Sequence, residues 1–220
     1  MKKLKSTLPN MVLSLGLITA CAGALLGYMY KVTKEPIARQ SAEAQVAAIK
    51  AVTEPFNNNP EADKLTVTVD GTECTVYPAK MNGRLVGAAV KASSMNGFSG
   101  LVTVMCGFDA DGTVLDYRVL EQAETPGLGA KMEMWFRDPA GARSVIGKNP
   151  GRTSFYVVKD VEHKGEIDGI TAATISSRAF LEIMRNAYAA YIKYSEGGNE
   201  PGNVNKAPDA AAGNGAEQNR

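Results

Sequence analysis

An uncharged stretch near the N-terminus constrains this chain more than any other feature. Ser6 to Tyr30 contains no charged residue, a run of 25 residues. As an α-helix the run would be roughly 37 Å long at about 1.5 Å per residue, which is enough to cross a hydrocarbon core of about 30 Å. The run therefore predicts a transmembrane helix, with the remaining chain folded on one side of a membrane.

The charges on either side of the run indicate its orientation. Lys2, Lys3 and Lys5 precede it, whereas the charges from Lys31 to Arg39 are of mixed sign. The N-terminal flank, with its free amine, is the more concentrated positive cluster and is expected to stay inside the cell. This predicts a single-pass anchor in a bacterial inner membrane, with the folded domain on the periplasmic or outer side.

Two other interpretations of the apolar run remain open. A cleavable secretory signal also has a basic start and an apolar middle. The string Ile18-Thr19-Ala20-Cys21 resembles a lipoprotein cleavage site, which would make Cys21 a lipid anchor. We favour a retained helix because the apolar run continues from Ala22 to Tyr30. All three interpretations place the domain on the far side of the membrane.

The chain after the anchor predicts an α+β fold, with a largely antiparallel sheet and packed helices. Residues 35–52 have a helical pattern, with Pro36 in the first turn, and are expected to form a stalk helix. Alternating apolar and polar residues separated by turn residues predict successive strands; these are Leu65 to Val69, Thr72 to Tyr77, a strand within Met81 to Ala92, Leu101 to Phe108 and Thr113 to Leu120. A further short strand is expected from Phe155 to Val158. A helical turn is expected from Lys131 to Phe136, where Trp135 would pack in the core or stack on a ring.

Composition excludes several classes of function. The chain has 24 basic and 23 acidic side chains and a net charge of +1, so charge gives no case for nucleic acid. His163 is the single histidine, and the three cysteines are scattered, which argues against a metal site. Cys74 and Cys106 could pair in an oxidising compartment, but buried free thiols are the expected state. No hydrolase triad is visible.

A small-residue turn followed by a helical pattern runs through Asp168-Gly169-Ile170-Thr171-Ala172-Ala173-Thr174-Ile175-Ser176-Ser177. Apolar residues recur beyond it at helical spacing; they are Phe180, Ile183, Met184, Ala187, Tyr188 and Tyr191. Thr171 or Thr174 would then be an N-cap or first-turn residue. The N-terminus of a helix can hold a phosphate, although most such turns are ordinary helix starts.

A second informative stretch is Glu124-Thr125-Pro126-Gly127-Leu128-Gly129. Pro126 fixes its own φ angle, while Gly127 and Gly129 permit backbone conformations and close approaches that other residues resist. Such a rigid loop could lie against a flat ring, although most Pro-Gly turns bind no ligand.

Together the two stretches resemble the FMN-binding domain family. The first resembles its D-x-x-(S/T)-G-A-T-x-(S/T) motif and the second its E-T-P-G-L-G loop, in the expected order, and the resemblance covers roughly Gly87 to Tyr191. Members include the G subunit of the Rnf electron-transport complex and the C subunit of the sodium-pumping NADH:quinone reductase. One departure is Ala172, where the family has Gly, because alanine disfavours positive φ.

The resemblance implies that FMN is bound covalently, through a phosphoester to Thr174 that a separate flavin transferase installs. It implies a binding site formed by two groups of residues: Thr171, Ala173, Thr174 and Ser177 in the motif, and Glu124, Thr125, Gly127, Leu128 and Gly129 in the loop. It also implies a division of the chain into residues 1–32 (cytoplasmic N-terminus and anchor), 33–86 (stalk and first strands) and 87–194 (FMN-binding domain). Residues 195–220, poor in large apolar residues, are expected to form a disordered tail.

The function implied by the resemblance is that of an electron-carrying subunit without catalytic activity of its own. It would belong to an Rnf-type complex that couples electron flow between ferredoxin and NAD to movement of Na⁺ or H⁺, beside the flavin-bearing D subunit. The quinone reductase C subunit and a flavin-free structural or sensory domain remain as alternatives.

Overall fold

The computed structural model describes residues 7–197 of the chain. Three helices, α1 (Leu8–Val52), α2 (Met132–Trp135) and α3 (Thr174–Glu196), accompany five strands, β1 (Leu65–Val69), β2 (Thr72–Met81), β3 (Arg84–Gly97), β4 (Gly100–Asp109) and β5 (Val114–Gln122). Short 3₁₀ turns lie at Gly129–Lys131 and Val161–His163. The fold is α+β, as the sequence predicted.

Helix α1 unites two segments that the sequence presented as an anchor helix and a stalk helix. It is continuous over 45 residues, and within residues 7–197 it is the one helix long and apolar enough to span a membrane. Pro36 lies inside it, so the prediction that Pro36 begins a separate helix is wrong. Proline removes only one N–H donor from the ladder, and the bonds on either side continue the helix. Cys21 lies in this helix with its side chain exposed.

The chain forms two compact units, of which the first comprises α1 up to Val46 and the second everything from Ala47 onward. The lysines that predicted the membrane orientation, at positions 2, 3 and 5, lie outside the described residues.

The sheet is a meander of order β1-β2-β3-β4-β5 in which every neighbouring pair is antiparallel. The strand predictions are confirmed, because each of the five predicted stretches coincides largely with one of these strands and the predicted turns lie between them. Strands β2 and β3 extend beyond the predicted bounds, to Met81 and Gly97. The tight turn at Asn82-Gly83 joins them, with both residues at positive φ, as a two-residue hairpin requires.

Helix α3 covers one face of the sheet within the second unit. Val76, Val90 and Cys106 are paired across β2, β3 and β4 and belong to the core cluster that includes the apolar side of α3. Because successive strand side chains point to opposite faces, their neighbours form a second cluster with the end of α1; its buried members are Ala48, Ile49, Val52, Tyr77, Ala89 and Met105. The sheet is therefore covered by helices on both faces.

The two cysteines of the sheet are buried free thiols, as expected, and do not form a disulfide. Cys74 and Cys106 lie in the core without a disulfide. Burial raises the pKa of the Cys74 thiol to about 11, and burial raises that of Cys106 further. Both side chains act as small apolar groups of the core.

Two further predictions differ from the structure. Phe155 to Val158 is not a strand, because a single parallel bridge between Val157 and Ile167 is the only sheet-like pairing of this segment in the described chain. Phe155 and Val157 are buried although the segment forms no ladder of strand hydrogen bonds. The alternation of buried residues is what made the sequence resemble a strand. Helix α3 includes Ser195 and Glu196, the first residues of the predicted tail; residues 198–220 lie outside the described part.

Candidate functional site

A pocket of about 320 Å³ lies between the loop that follows β5 and the N-terminus of α3. Its lining comes from three chain segments and comprises Phe98, Glu124, Thr125, Leu128, Gly129, Ala172, Ala173, Thr174, Ile175 and Ser176. The volume is near the lower end of the range for small-molecule sites, about 300–1,000 Å³. The fold thus brings the two stretches singled out in the sequence to one place.

The helix side of the pocket presents polar groups without partners. Thr174 is the first residue of α3, and no side chain caps the helix, whose N-cap residue is Ala173. The backbone ladder begins with Ser177 N–H donating to the Ala173 carbonyl at 3.0 Å, so the N–H groups of residues 174–176 precede it. The Thr174 hydroxyl makes no hydrogen bond within residues 7–197. This combination suits an anion at the helix N-terminus.

Hydrogen bonds of Ser177 and Asp168 stabilise the turn before α3 on the side that faces the core. The buried Ser177 hydroxyl accepts from Ile170 N–H at 2.8 Å and donates to the Ala173 carbonyl at 2.9 Å. The Asp168 carboxylate accepts from Ala142 N–H at 2.9 Å. Trp135 donates its indole N–H to the Asp168 carbonyl at 2.9 Å and packs against the core. These contacts fix the path of the chain into the pocket.

Ala172 adopts the left-handed conformation, with φ 62°. This is the position where the sequence departs from the glycine of the family motif. An L-residue with a Cβ pays about 1–2 kcal/mol in this region, so the turn keeps its shape at a local cost. The substitution of alanine for glycine strains the turn without preventing it.

The loop side of the pocket uses its two glycines for different reasons. Gly127 has φ 78°, with no atom near the position of a Cβ. At Gly129 a Cβ would overlap the side chains of Glu124 and Ser176. Leu128 N–H donates to the Thr125 carbonyl at 3.1 Å, which closes the turn. The loop needs glycine at one position for conformation and at the other for space.

Glu124 connects the loop to both other segments of the pocket. Its side chain is 4 % exposed. One carboxylate oxygen accepts from Ser99 N–H at 3.0 Å, in the turn between β3 and β4, and the other from the Ser176 hydroxyl at 2.5 Å, in the first turn of α3. Two hydrogen bonds therefore fix the loop, the hairpin and the helix relative to one another.

The structure does not bring every residue of the predicted site into the pocket. Those that line it are Glu124, Thr125, Leu128, Gly129, Ala173 and Thr174. Thr171 is exposed and Ser177 faces the core behind the turn, and neither these two nor Gly127 lines the pocket.

Sequence reasoning missed three residues of the lining, Phe98, Ile175 and Ser176, and treated Ala172 only as a departure from the motif. Ser176 could have been found, because the final Ser/Thr position of the motif falls on it. Phe98 lies between two glycines in the turn that joins β3 and β4, and its distance in sequence from both motifs hid its place in the pocket. Ile175 carried no signal, since half-exposed apolar residues are ordinary in a first helical turn.

A larger cleft of about 560 Å³ lies farther along α3 but has a different character. Charged side chains dominate its lining, namely Lys159, Asp160, Glu162, Arg178, Glu182 and Arg185. The Arg178 guanidinium donates to both oxygens of Asp160, and this contact lowers the pKa of Asp160. Because charged side chains dominate this cleft, the smaller pocket with apolar walls is the better candidate for a flat ring.

Comparisons with known proteins identify the family of this chain. Residues 97–189 match the FMN-binding domain family. The chain is 30% identical over 201 residues to the G subunit of the ion-translocating oxidoreductase complex of Aliivibrio fischeri strain ES114, covering 87% of this chain and 93% of the relative. The chain belongs to this family of G subunits.

Other relatives of the same name support the assignment. The chain is 33% identical over 184 residues to the G subunit of Escherichia coli strain K12, covering 80% of this chain and 86% of the relative. The G subunit of Salmonella typhimurium strain LT2 is 32% identical over 185 residues, with the same coverage of 80% and 86%. The family match begins at Gly97, so it includes the Phe98 turn as well as both motifs.

The residues present fit an FMN group. The pocket has apolar side chains for a flat ring in Phe98, Leu128 and Ile175. It also has an uncapped helix N-terminus for a phosphate and, at Thr174, a hydroxyl oxygen. These are the two kinds of contact that an apolar ring joined to an anionic group needs.

Proposed function

We propose that this chain is an electron-carrying subunit of an Rnf-type ion-translocating complex and holds FMN through a phosphoester to Thr174. The observation that supports this most strongly is the position of the Thr174 hydroxyl. It lies at the first residue of α3, without a hydrogen-bond partner in the described chain, in the wall of the pocket that the E-T-P-G-L-G loop completes.

Each part of the pocket has a role in this proposal. The N–H groups of residues 174–176 and the dipole of α3 stabilise the charge that remains on the phosphodiester. Phe98, Leu128 and Ile175 provide apolar contacts for the ring and exclude water from it. The flavin supplies the electron transfer, and the protein supplies attachment, orientation and electrostatics.

A covalent linkage suits the expected location of the domain. Helix α1 is proposed to remain as a single-pass anchor in the bacterial inner membrane, with the domain on the periplasmic or outer side. A cofactor that dissociated there would be lost, and an ester bond prevents that loss. A threonine hydroxyl is a weak nucleophile without an activating base, so we assign the attachment to a flavin transferase, and Thr174 is its acceptor.

Within the complex this chain would relay electrons and have no stand-alone catalytic activity. By its family, the complex would move Na⁺ or H⁺ as electrons pass between ferredoxin and NAD, and the flavin-bearing D subunit is the proposed neighbour. The relatives reported above are all named as G subunits of ion-translocating oxidoreductase complexes, which favours this role over the alternative of a quinone reductase C subunit.

The test is the intact mass of the denatured full-length protein after co-expression with a flavin transferase. Wild type should gain the mass of FMN minus water, and Thr174→Ala should not. Thr171→Ala is the matched control, because Thr171 is the other threonine of the motif, is exposed and does not line the pocket. It should be modified as fully as wild type.

The same spectra separate the alternatives. An unmodified wild type, with a transferase shown to be active on another substrate, would exclude covalent FMN and leave the flavin-free structural role. Loss of the first 20 residues, with a lipid on Cys21, would replace the retained helix by a lipoprotein anchor without affecting the assignment of the pocket.

A further inference from the structure

The Glu124 carboxylate is the one acidic side chain in the wall of the pocket. We propose that its negative charge holds the reduction potential of the bound flavin below the value that the same pocket would give without that charge. The inference rests on the proposed function, because it concerns a flavin held in this pocket.

The carboxylate occupies a niche that two glycines make possible. A Cβ at Gly97 would lie 2.7 Å from one carboxylate oxygen of Glu124, and a Cβ at Gly129 would overlap the other. Since real Cβ atoms do not approach an oxygen so closely, a side chain at either position would displace the carboxylate. The two glycines therefore leave room for both oxygens of Glu124 beside the pocket.

Two neutral groups form hydrogen bonds with the Glu124 carboxylate. Each oxygen accepts from one donor, Ser99 N–H at 3.0 Å and the Ser176 hydroxyl at 2.5 Å. No basic side chain pairs with Glu124 in the described chain. The charge is stabilised by two neutral donors and the nearby N-terminus of α3, but no opposite charge cancels its field in the pocket.

An uncancelled negative charge disfavours any process that adds negative charge nearby. When the ring takes two electrons from a donor and one proton from solvent, it gains one negative charge. Two unit charges about 10 Å apart at an effective dielectric constant of about 20 change an equilibrium roughly tenfold. For a two-electron couple, a tenfold change corresponds to about 30 mV.

Glu124→Gln removes the negative charge of the side chain while keeping its two hydrogen bonds. Glutamine has the same shape, its oxygen can accept from Ser99 N–H, and its amide can donate to the Ser176 hydroxyl. Glu121→Gln is the matched control, because it removes the same charge from an exposed position three residues away on β5.

The experiment measures the midpoint potential of the flavin in the full-length protein, in detergent at pH 8, with an electrode as electron donor and the flavin absorbance as readout. We expect Glu124→Gln to raise the reduced-to-oxidised ratio at a fixed potential roughly tenfold, a shift of about 30 mV for a two-electron couple. Glu121→Gln should remain at the wild-type value. A potential for Glu124→Gln that equals wild type, or shifts downward, overturns the inference.

Ser176→Ala distinguishes the charge from a purely structural role. The variant loses one donor to the carboxylate but keeps its charge, so the field in the pocket becomes stronger and the potential should fall. If the role of Glu124 were only to hold the pocket together, the two variants would shift the potential in the same direction, and the inference would be wrong.

The two proposals fail in different ways. Failure of the proposed function appears first, as a wild-type mass without FMN, and it removes this inference as well. If wild type carries FMN but Glu124→Gln does not, the midpoint potential of the flavin in Ser176→Ala becomes the test of the Glu124 charge. A lower value supports the role of the charge, and an unchanged or higher value overturns it.

Discussion

The two walls of the pocket are built in opposite ways. The loop wall, residues 124–129, satisfies its polar groups internally, with Leu128 N–H on the Thr125 carbonyl and Glu124 on two donors. The helix wall, residues 172–176, leaves the Thr174 hydroxyl and the first N–H groups of α3 without hydrogen-bond partners in the described chain.

Both walls contain a residue in the left-handed conformation, but only one of them is glycine. Gly127 has φ 78° and Ala172 has φ 62°. The loop wall therefore adopts its shape without strain, whereas the helix wall carries some. The loop therefore has a preset conformation with its polar groups paired, whereas the N-terminus of α3 retains unpaired groups that could bind a ligand.

Among the substitutions considered, we expect Gly129→Ala in the loop wall to reduce the free energy of unfolding most. We expect Gly129→Ala to destabilise the protein by about 3 kcal/mol, since overpacking a filled site typically costs about 1–3 kcal/mol and the Cβ would overlap Glu124 and Ser176. Urea unfolding of the full-length chain in detergent measures the loss. Gly127→Ala is the control, because it strains the backbone without a clash and should cost only about 1 kcal/mol. Equal losses for the two variants would contradict the steric explanation.

The support behind the helix wall can be tested at Ser177. Ser177→Ala leaves the Ile170 N–H without its buried acceptor, a loss that typically costs about 1–3 kcal/mol. We expect a loss of about 2 kcal/mol by urea unfolding, together with less complete attachment of FMN because the turn is released. Ser195→Ala, at an exposed serine near the other end of α3, should change stability little. A fully stable Ser177→Ala would show that the turn is held by other contacts.

Because Ala172 strains the helix wall, we expect its replacement to stabilise the protein, unlike the two preceding substitutions. Ala172→Gly should stabilise the protein by about 0.5–1 kcal/mol, because relief of the left-handed strain exceeds the greater chain entropy of glycine. The thermal midpoint in detergent should rise accordingly. Ala173→Gly, at a residue with φ −136°, has no such strain to relieve and should destabilise. A lower midpoint for Ala172→Gly would show that the turn is not strained.

The smallest effect concerns the ion pair one turn beyond Thr174. Contact with Arg178 lowers the pKa of Asp160 below 3.8, so the folded state binds its proton less readily than the unfolded state. The stability from this pair is present above pH 3.8 and is lost as the pH falls through the lower, folded-state value.

We therefore expect wild type to be slightly more stable than Asp160→Asn at pH 7. The difference should disappear at pH values below the folded-state pKa of Asp160, and it should be small because exposed ion pairs contribute little. Urea unfolding of both proteins over a pH series provides the measurement. A difference independent of pH would mean that the pair does not act through its charge.

Much of this architecture follows from local patterns in the sequence. The uncharged run predicted the apolar part of α1, and alternation with turn residues predicted the strands of the meander. Helical spacing, together with the small residues before it, predicted a helix start near Thr171 or Thr174, and the structure begins α3 at Thr174. These features were predictable because each depends on neighbours in sequence, whose periodicity shows which face is buried.

The tertiary structure alone decided which residues meet. It placed Ser176 in the pocket and its neighbour Ser177 behind the turn, because adjacent helical residues point about 100° apart. It buried Glu124 against a serine 52 residues away, and it joined the segments predicted as anchor and stalk into one helix that contains Pro36. Contacts of this kind depend on the path of the whole chain, and no local pattern of residues encodes them.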